Sequence, residues 1–248
     1  MTTLETPLFE ADPVLGAFVA HYPSNRARLL LYGGAVLAVV WFVVTVVLWQ
    51  VEAGLASAIT VLVLALTTLG VGWVIAHFWN REVIVYERGF TYREGAGTVP
   101  IMYSDVAIIR QRGEQRAYFG GLVRRSTLQF TLITRQEETI TLNSLYQNVN
   151  DLTLRLEAII TAMQREHAER RLAAGERLAF SADFTISAQG LHYGDQTLPW
   201  AQYAGSRIEQ GTLVIAAQDA PRWYAAPLTS LDNLRLLVSV LRQAETVD

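Results

Sequence analysis

The side chains with the most specific chemistry in this sequence are arginines near its middle. A guanidinium group binds phosphate oxygens through two parallel hydrogen bonds, and each arginine close to an anionic leaflet contributes about 1 kcal/mol of attraction. The spacing therefore predicts a phosphate or lipid-headgroup site, with a solvated strand face as the alternative. The arginine-rich stretch holds Arg110, Arg112, Arg116, Arg124, Arg125 and Arg135, and the predicted site comprises the first five of them.

Other kinds of site chemistry have little support in the sequence. The chain has no cysteine and no lysine, which excludes thiolate ligands, disulfides, cysteine nucleophiles and lysine Schiff bases. The histidines are scattered, without the spacing of a zinc site. A net charge of -3 gives no general attraction to nucleic acid. We therefore expect no enzyme activity, no cofactor, no metal and no nucleic-acid partner.

Two long apolar runs dominate the first third of the chain. They extend over Leu29–Trp49 and Gly54–Trp79, and Glu52 between them is the only formally charged residue from Leu29 to Trp79. At about 1.5 Å per residue, each run spans the roughly 30 Å hydrocarbon core of a bilayer. Because the connection is so short, the sequence predicts an antiparallel transmembrane hairpin over residues 29–80. A cleaved signal peptide fits poorly, because a second span follows at once.

The flanking residues predict how this hairpin is oriented. Arginines precede the first run and follow the second, whereas the turn between them has none, so both termini are expected in the cytoplasm of a cell with the hairpin in its inner (plasma) membrane. Tryptophans near the ends match an aromatic belt. Neither run contains an aspartate, glutamate, lysine or arginine, which argues against a transporter. The predicted membrane-interface residues are Arg26, Arg28, Trp49, Trp79 and Arg81.

Small residues within the hairpin predict close helix packing. Gly34 and Ala38 have the small-xxx-small spacing of helix interfaces, as do Gly54 and Ala58. The packing is expected within the hairpin, and contact with another membrane subunit is the alternative.

The N-terminal segment, residues 1–28, has the pattern of a short amphipathic helix. Asp12 suits a helix cap and Pro13 the first helical position, and Leu15, Phe18 and Tyr22 then fall on one face. The pattern predicts a helix that lies at the membrane interface or docks on a partner. A disordered tail is the alternative.

After Arg81 the hydrophobic period changes to that of half-buried strands. Strands are predicted around Val83–Tyr92 and then at 107–112, 116–123, 127–134 and 138–142, followed by a helix. The helix is capped at Asn148 or Asn150 and extends to about Ala174. Its apolar stripe consists of Leu152, Leu156, Ile159, Ile160 and Met163.

The same order of features then occurs again. Gly190-Leu191-His192-Tyr193 matches Gly89-Phe90-Thr91-Tyr92, and a closing helix with Leu234, Leu237, Val238 and Leu241 on one face follows the later strands. Repeated order of elements predicts a tandem repeat. The fold class is therefore an α-helical transmembrane hairpin plus an α+β soluble portion. That portion is expected to contain two antiparallel sheets or partial barrels, each closed by a C-terminal helix.

This arrangement is the plan of a pleckstrin-homology (PH)-like domain. The first unit is predicted over 81–175 with a long C-terminal helix. The second is predicted over 176–248 and is shorter by roughly one hairpin.

The sequence also resembles a family of bacterial membrane proteins of unknown function, in which a transmembrane hairpin precedes PH-like domains. The resemblance lies in Tyr86-Glu87-Arg88-Gly89-Phe90-Thr91-Tyr92, and in Gly190–Tyr193 followed by Pro199-Trp200. Tyr103 departs from the tryptophan of the pattern in the first unit. The resemblance implies a fold and no activity, so no site residue carries over.

Together these features favour a non-enzymatic, membrane-anchored binding or scaffold protein, a class that includes accessory subunits of membrane complexes. Its expected partners are the lipid bilayer and a protein or membrane complex. An anionic-lipid-sensing module that uses the arginine cluster, and so binds anionic lipid headgroups, is the alternative. An enzyme with a site between the two units is a remote third hypothesis.

Overall fold

A computed structural model describes residues 11–50, 55–94, 97–118 and 123–245. For residues 50, 55–56, 94, 112–118 and 123–128 it describes the backbone alone. The chain divides into two compact units, which are treated separately below. The first comprises residues 1–101 and 144–149, and the second comprises residues 102–143 and 150–248. They differ from the predicted PH-like units 81–175 and 176–248.

Two long apolar helices form the larger part of the first unit. Helix α1 spans Arg26–Gln50 and helix α2 spans Leu55–Trp79, which confirms the two predicted apolar helices. Both are long and apolar enough to cross a membrane. Large side chains such as Phe42 and Leu69 are 70% and 69% exposed, so these are not the core helices of a soluble protein. The turn residues Glu52 and Gly54 lie outside the described residues.

The predicted helix before α1 is wrong, because its residues form a turn and a strand. Asp12 does cap, but its Oδ1 accepts hydrogen bonds from the amides of Val14 and Leu15, each at 2.8 Å, within a turn that closes at Gly16. Strand β1 follows at Phe18–Pro23. It pairs antiparallel with β2, Glu82–Tyr86, which lies beyond both helices in the sequence.

A four-stranded sheet completes the first unit. Its order is β1-β2-β3-β4, where β3 is Gly89–Glu94 and β4 is Gly97–Met102. The pairing of β2 with β3, which sets Val83 opposite Tyr92, agrees with the alternating pattern read from the sequence. Leu15 in the preceding turn packs on Ile84 of β2.

The second unit begins with a 3-10 turn at Tyr103–Asp105 and a three-stranded sheet. The strands are β5, Val106–Tyr118, β6, Val123–Thr134, and β7, Thr139–Leu142. Two separate strands were predicted over 107–123, but β5 is one long strand. Gly113 does not interrupt it, because Gly113 stays paired with Leu128 of β6.

Helix α3 follows at Val149–Ala173, as predicted from its apolar stripe. Leu152, Leu156 and Ile160 are fully buried, whereas Met163 is 44% exposed. The chain leaves the helix at Gly175, whose φ of +80° favours glycine.

After α3, the described residues of the second unit form seven further strands and a helix. The prediction of a shorter second PH-like unit over 176–248 stays a prediction. A four-stranded sheet has the order β11-β10-β9-β8, and a three-stranded sheet has the order β12-β13-β14. Helix α4, Leu234–Glu245, ends the described chain and confirms the predicted C-terminal helix. The strands are β8 Leu178–Ala179, β9 Phe184–Ser187, β10 Gly190–Tyr193, β11 Gln196–Pro199, β12 Tyr203–Glu209, β13 Thr212–Ala217 and β14 Tyr224–Pro227.

Both of these sheets and α4 share one hydrophobic core. Phe184 of β9, Ile215 of β13 and Leu237 of α4 are each fully buried in it. Within the described residues no sheet closes into a barrel. The predicted domain boundaries at 81–175 and 176–248 group the strands by sequence alone and stay a prediction.

Candidate membrane anchor and ligand cavity

The paired strands β1 and β2 lead directly into the two apolar helices. Only Ser24 and Asn25 separate β1 from α1, and only Asn80 and Arg81 separate α2 from β2. Ser24 is 1% exposed. Its amide donates to the carbonyl of Arg81 at 2.9 Å, and its hydroxyl donates to the carbonyl of Trp79 at 2.7 Å. The segment that enters α1 and the segment that leaves α2 are therefore hydrogen-bonded to each other.

A loop from later in the chain braces the same point. The amide of Asn25 donates to the carbonyl of Leu145 at 2.5 Å, and the amide of Gln147 donates to the carbonyl of Pro23 at 2.9 Å. Arg28 on the first turn of α1 donates to the carbonyl of Ser144 at 2.8 Å. We call Ser24, Asn25, Arg28, Arg81 and residues 144–147 the collar. It fixes the sheet to the base of the helices without a flexible linker.

Four of the five predicted interface residues gather at this end of the helices. The guanidinium of Arg26 lies 5.1 Å from the ring centroid of Trp79, and that of Arg81 lies 4.3 Å from that of Phe78. Such cation–π pairs suit a membrane surface, where one part of the pair is apolar and the other is hydrated. Arg28 belongs to the collar. Trp49 lies at the opposite end of α1 and is 94% exposed.

The predicted arginine site has one member that is already paired. Nε and Nη2 of Arg110 donate to the two carboxylate oxygens of Asp232 at 2.5 and 3.2 Å. This hydrogen bonding raises the pKa of Arg110 against the opposing effect of its burial. Arg110 therefore binds a side chain of its own protein and is a poor candidate for a ligand contact.

The remaining four arginines lie on the β5–β6 hairpin, and the contacts of their side chains lie outside the described structure. Their backbones are paired in the hairpin: Arg116 is opposite Arg125, and Arg112 is opposite Gln129. The pairing also sets Arg124 opposite Ala117. Their assignment to a lipid or phosphate site stays a prediction.

His192 of β10 is buried, with 7% of its surface exposed. Its Nε2 lies 2.8 Å from the hydroxyl of Ser187, and its Nδ1 lies 3.0 Å from that of Thr197. Burial lowers the pKa of His192, and the nearby charge of Arg177 lowers it further. A histidine bonded to a serine is an arrangement used in nucleophilic catalysis. Ser187 is also only 7% exposed, so a substrate does not reach its hydroxyl.

A cavity of about 530 Å³ in the second unit was not predicted from the sequence. Its walls come from the 3-10 turn and β5, from α3, from the chain around β8 and from the start of α4. Apolar side chains such as Met163 and Phe180 line part of it. The basic residues of its lining are Arg135, His167, Arg170, Arg171 and Arg177, and among the described residues no aspartate or glutamate lines it.

Metal chemistry has no counterpart in the described part of the chain, where no group of three or more histidine, cysteine, aspartate or glutamate residues could hold an ion.

Comparison with known proteins gives a family and no activity. No curated protein and no solved structure matches the chain. One family model does match it, over residues 9–247, and its description is a family of unknown function, DUF6585. The match includes both apolar helices and the sheets that follow. The chain therefore belongs to this family of unknown function.

Proposed function

We propose that the protein is a non-enzymatic, membrane-anchored binding or scaffold protein, a class that includes accessory subunits of membrane complexes. One observation carries the proposal: the two paired strands β1 and β2 continue directly into two exposed apolar helices. Hydrogen bonds within the collar hold the segment that enters α1 and the segment that leaves α2 in place. A sheet attached in this way keeps one orientation at the membrane surface, which suits the docking of a partner.

Helices α1 and α2 cross the inner (plasma) membrane in this proposal, and the sheets lie in the cytoplasm with both termini. The exposed apolar side chains of both helices support the crossing. The orientation rests on the arginines near the collar, because positively charged residues are retained on the cytoplasmic side. The cation–π pairs of Arg26 and Arg81 would then lie at headgroup level.

The soluble portion would consist of two PH-like units. Apart from α1 and α2, the chain twice shows four strands, a 3-10 turn, three strands and a helix in that order, with a further 3-10 turn before α4. The 3-10 turns Tyr103–Asp105 and Trp200–Gln202 fall at matching points of that order. In this scheme β1 is the first strand of the first PH-like unit. The membrane hairpin is then an insertion between the first and second strands of a PH-like domain.

Purification from membranes in a mild detergent tests the scaffold hypothesis. We expect one protein to co-purify at constant stoichiometry through size-exclusion chromatography, and to be identified by mass spectrometry. An unrelated tagged two-helix membrane protein, prepared in parallel, is the control for detergent-induced association. Recovery of a monodisperse lone protein that retains anionic lipid would contradict the scaffold hypothesis and support the alternative.

That alternative, an anionic-lipid-sensing module, is favoured by the pairing of Arg116 directly opposite Arg125 on the β5–β6 hairpin. Like charges opposite one another in a sheet are destabilising unless an anion compensates them. Phosphate oxygens would supply that compensation. If the lone protein retains anionic lipid and the Arg124→Glu, Arg125→Glu variant retains as much, this hairpin is not the lipid site.

A further inference from the structure

The cavity of the second unit is lined by basic side chains. The chain as a whole carries a net charge of -3. Among the described residues, the cavity is lined by four arginines and a histidine, and by no carboxylate. Low-dielectric walls that bear one sign of charge concentrate the field inside a cleft. The cavity is therefore suited to an anion.

Two of these arginines lack an acidic partner in the part of the chain that the structure describes. Arg171 pairs with Glu176 at 2.6 Å, and Arg170 approaches Glu166 at 3.9 Å. Within the described residues, Arg135 and Arg177 have no carboxylate at ion-pair distance. Their guanidinium groups are the ones left to bind an anion from solution. A phosphate group offers three strong acceptor oxygens and fits such forked donors better than a single point charge would.

The lining also includes the side chain of Gln164. Nε2 of Gln164 donates to the carbonyls of Val106 and Ala107, each at 3.2 Å. These bonds fix the orientation of the amide, because the flipped amide would set Oε1 against two carbonyl oxygens. Oε1 is buried and has no hydrogen-bond partner among the described residues. Because this atom is inaccessible, Gln164 contributes to the shape of the cavity wall and is not assigned a ligand contact.

Much of the remaining lining is apolar. In this apolar wall Met163 is 44% exposed, whereas Ala168, Leu178, Phe180 and Leu236 are at most 6% exposed. A cavity of about 530 Å³ lies within the range of small-molecule sites. A bare inorganic anion would leave the exposed side chain of Met163 in contact with water, so an amphiphilic ligand fits the cavity better.

We propose that this cavity binds an organic phosphate that carries an apolar chain, with the chemistry of a lysophosphatidate. The phosphate binds Arg135 and Arg177, and the chain packs on Met163. This site shares only Arg135 with the arginine-rich stretch noted in the sequence, and it does not depend on the scaffold hypothesis.

Isothermal titration of the full-length protein in phosphatidylcholine nanodiscs tests the proposal. The probe is hexanoyl lysophosphatidate, which is monomeric in water, and empty nanodiscs provide the blank. Glycerol 3-phosphate lacks the chain, and hexanoyl lysophosphatidylcholine lacks the net negative charge. We expect each of these two compounds, and inorganic phosphate, to bind at least about tenfold more weakly than the probe.

Variants then locate the site. The Arg135→Gln, Arg177→Gln double variant should lose at least about tenfold in affinity for the probe. Arg222→Gln, which changes an exposed arginine outside the cavity lining, should bind as the wild type does. If the double variant fails to fold, Met163→Trp provides the second test: it fills the apolar wall and should weaken binding of the probe.

Absence of probe binding to the wild type would overturn the proposal. So would equal binding of glycerol 3-phosphate or of the phosphatidylcholine analogue, since either would remove the chain or the charge from recognition. Unchanged probe affinity in a folded double variant, or in Met163→Trp, would overturn the assignment of the ligand to this cavity.

Discussion

Replacing Gly33 with leucine should separate the two apolar helices, whereas the same change at Gly34 should leave them packed. A Cβ atom at Gly33 would lie 2.6 Å from Cδ1 of Ile75 and 3.3 Å from Cγ1 of Val71. Both neighbours are β-branched and have one favoured rotamer in a helix, so they yield poorly to a larger side chain. We expect the Gly33→Leu variant to lose about 3 kcal/mol of helix-packing stability.

Gly34 provides the matched control. A Cβ atom there meets no atom within 4 Å, so leucine adds only exposed apolar surface. We expect a change within about 0.5 kcal/mol. The measurement is the temperature at which half of the monodisperse peak is lost in mild detergent. Equal midpoints for the two variants would contradict the helix packing described here. The sequence predicted that Gly34 packs in the helix contact, but in the structure Gly33 lies there instead.

Replacing Gly190 with alanine should destabilise the second unit severely. Gly190 begins β10 with a φ of +152°, and a Cβ atom there would lie 2.1 Å from the carbonyl oxygen of Leu198. That oxygen belongs to the backbone of the paired strand β11, so the sheet itself must move. We expect a loss of about 3 kcal/mol or more, which corresponds to a fall of roughly 6–12 °C in the unfolding midpoint.

Gly194 tests whether this loss comes from the close contact. It also has a positive φ, of +55°, but a Cβ atom there meets open space. Alanine at Gly194 should therefore cost only about 1 kcal/mol, from backbone strain alone. Unfolding is followed by the fluorescence of Trp200 and Trp223, which pack against the core of this unit. A Gly190→Ala midpoint no lower than that of Gly194→Ala would contradict the proposed strand contact.

Local patterns were sufficient for the helices. The apolar runs that became α1 and α2 have no competing interpretation of similar length, and the stripe of α3 and the closing helix α4 follow the 3.6-residue period. The glycine at the start of β10 was also recognised, because the sequence Gly190–Tyr193 matches Gly89–Tyr92.

Strand β1 escaped prediction because its partner is remote in sequence. Leu15, Phe18 and Tyr22 have helical spacing, but the hydrogen bonds to β2 decide the conformation, and β2 lies beyond both apolar helices. Strand β8 has only two residues, Leu178 and Ala179, too few to show a period. In β1, tertiary pairing overrides a local pattern. In β8 there is no local pattern to read.

Some parts of the candidate sites could be predicted from local sequence, and others depend on residues that are distant in the sequence. The interface residues beside the collar were predictable, because their positions follow from the ends of the apolar runs. The pairing of Arg110 with Asp232 was not, because the two residues are 122 positions apart. The cavity was missed for a related reason: its lining runs from Tyr103 to Leu236, and the absence of carboxylates in it becomes visible only after folding.

The account depends most on the proposal that α1 and α2 cross a membrane and hold the sheets on its cytoplasmic side. Because the chain has no native cysteine, single cysteines report location directly. One is introduced at Glu52, between the apolar runs, and one at Asp219, exposed between β13 and β14. An impermeant maleimide should label the Glu52→Cys variant in intact cells, whereas it should label the Asp219→Cys variant only after lysis. Labelling at 219 but not 52 in intact cells would reverse the orientation, and labelling at both would contradict the crossing itself.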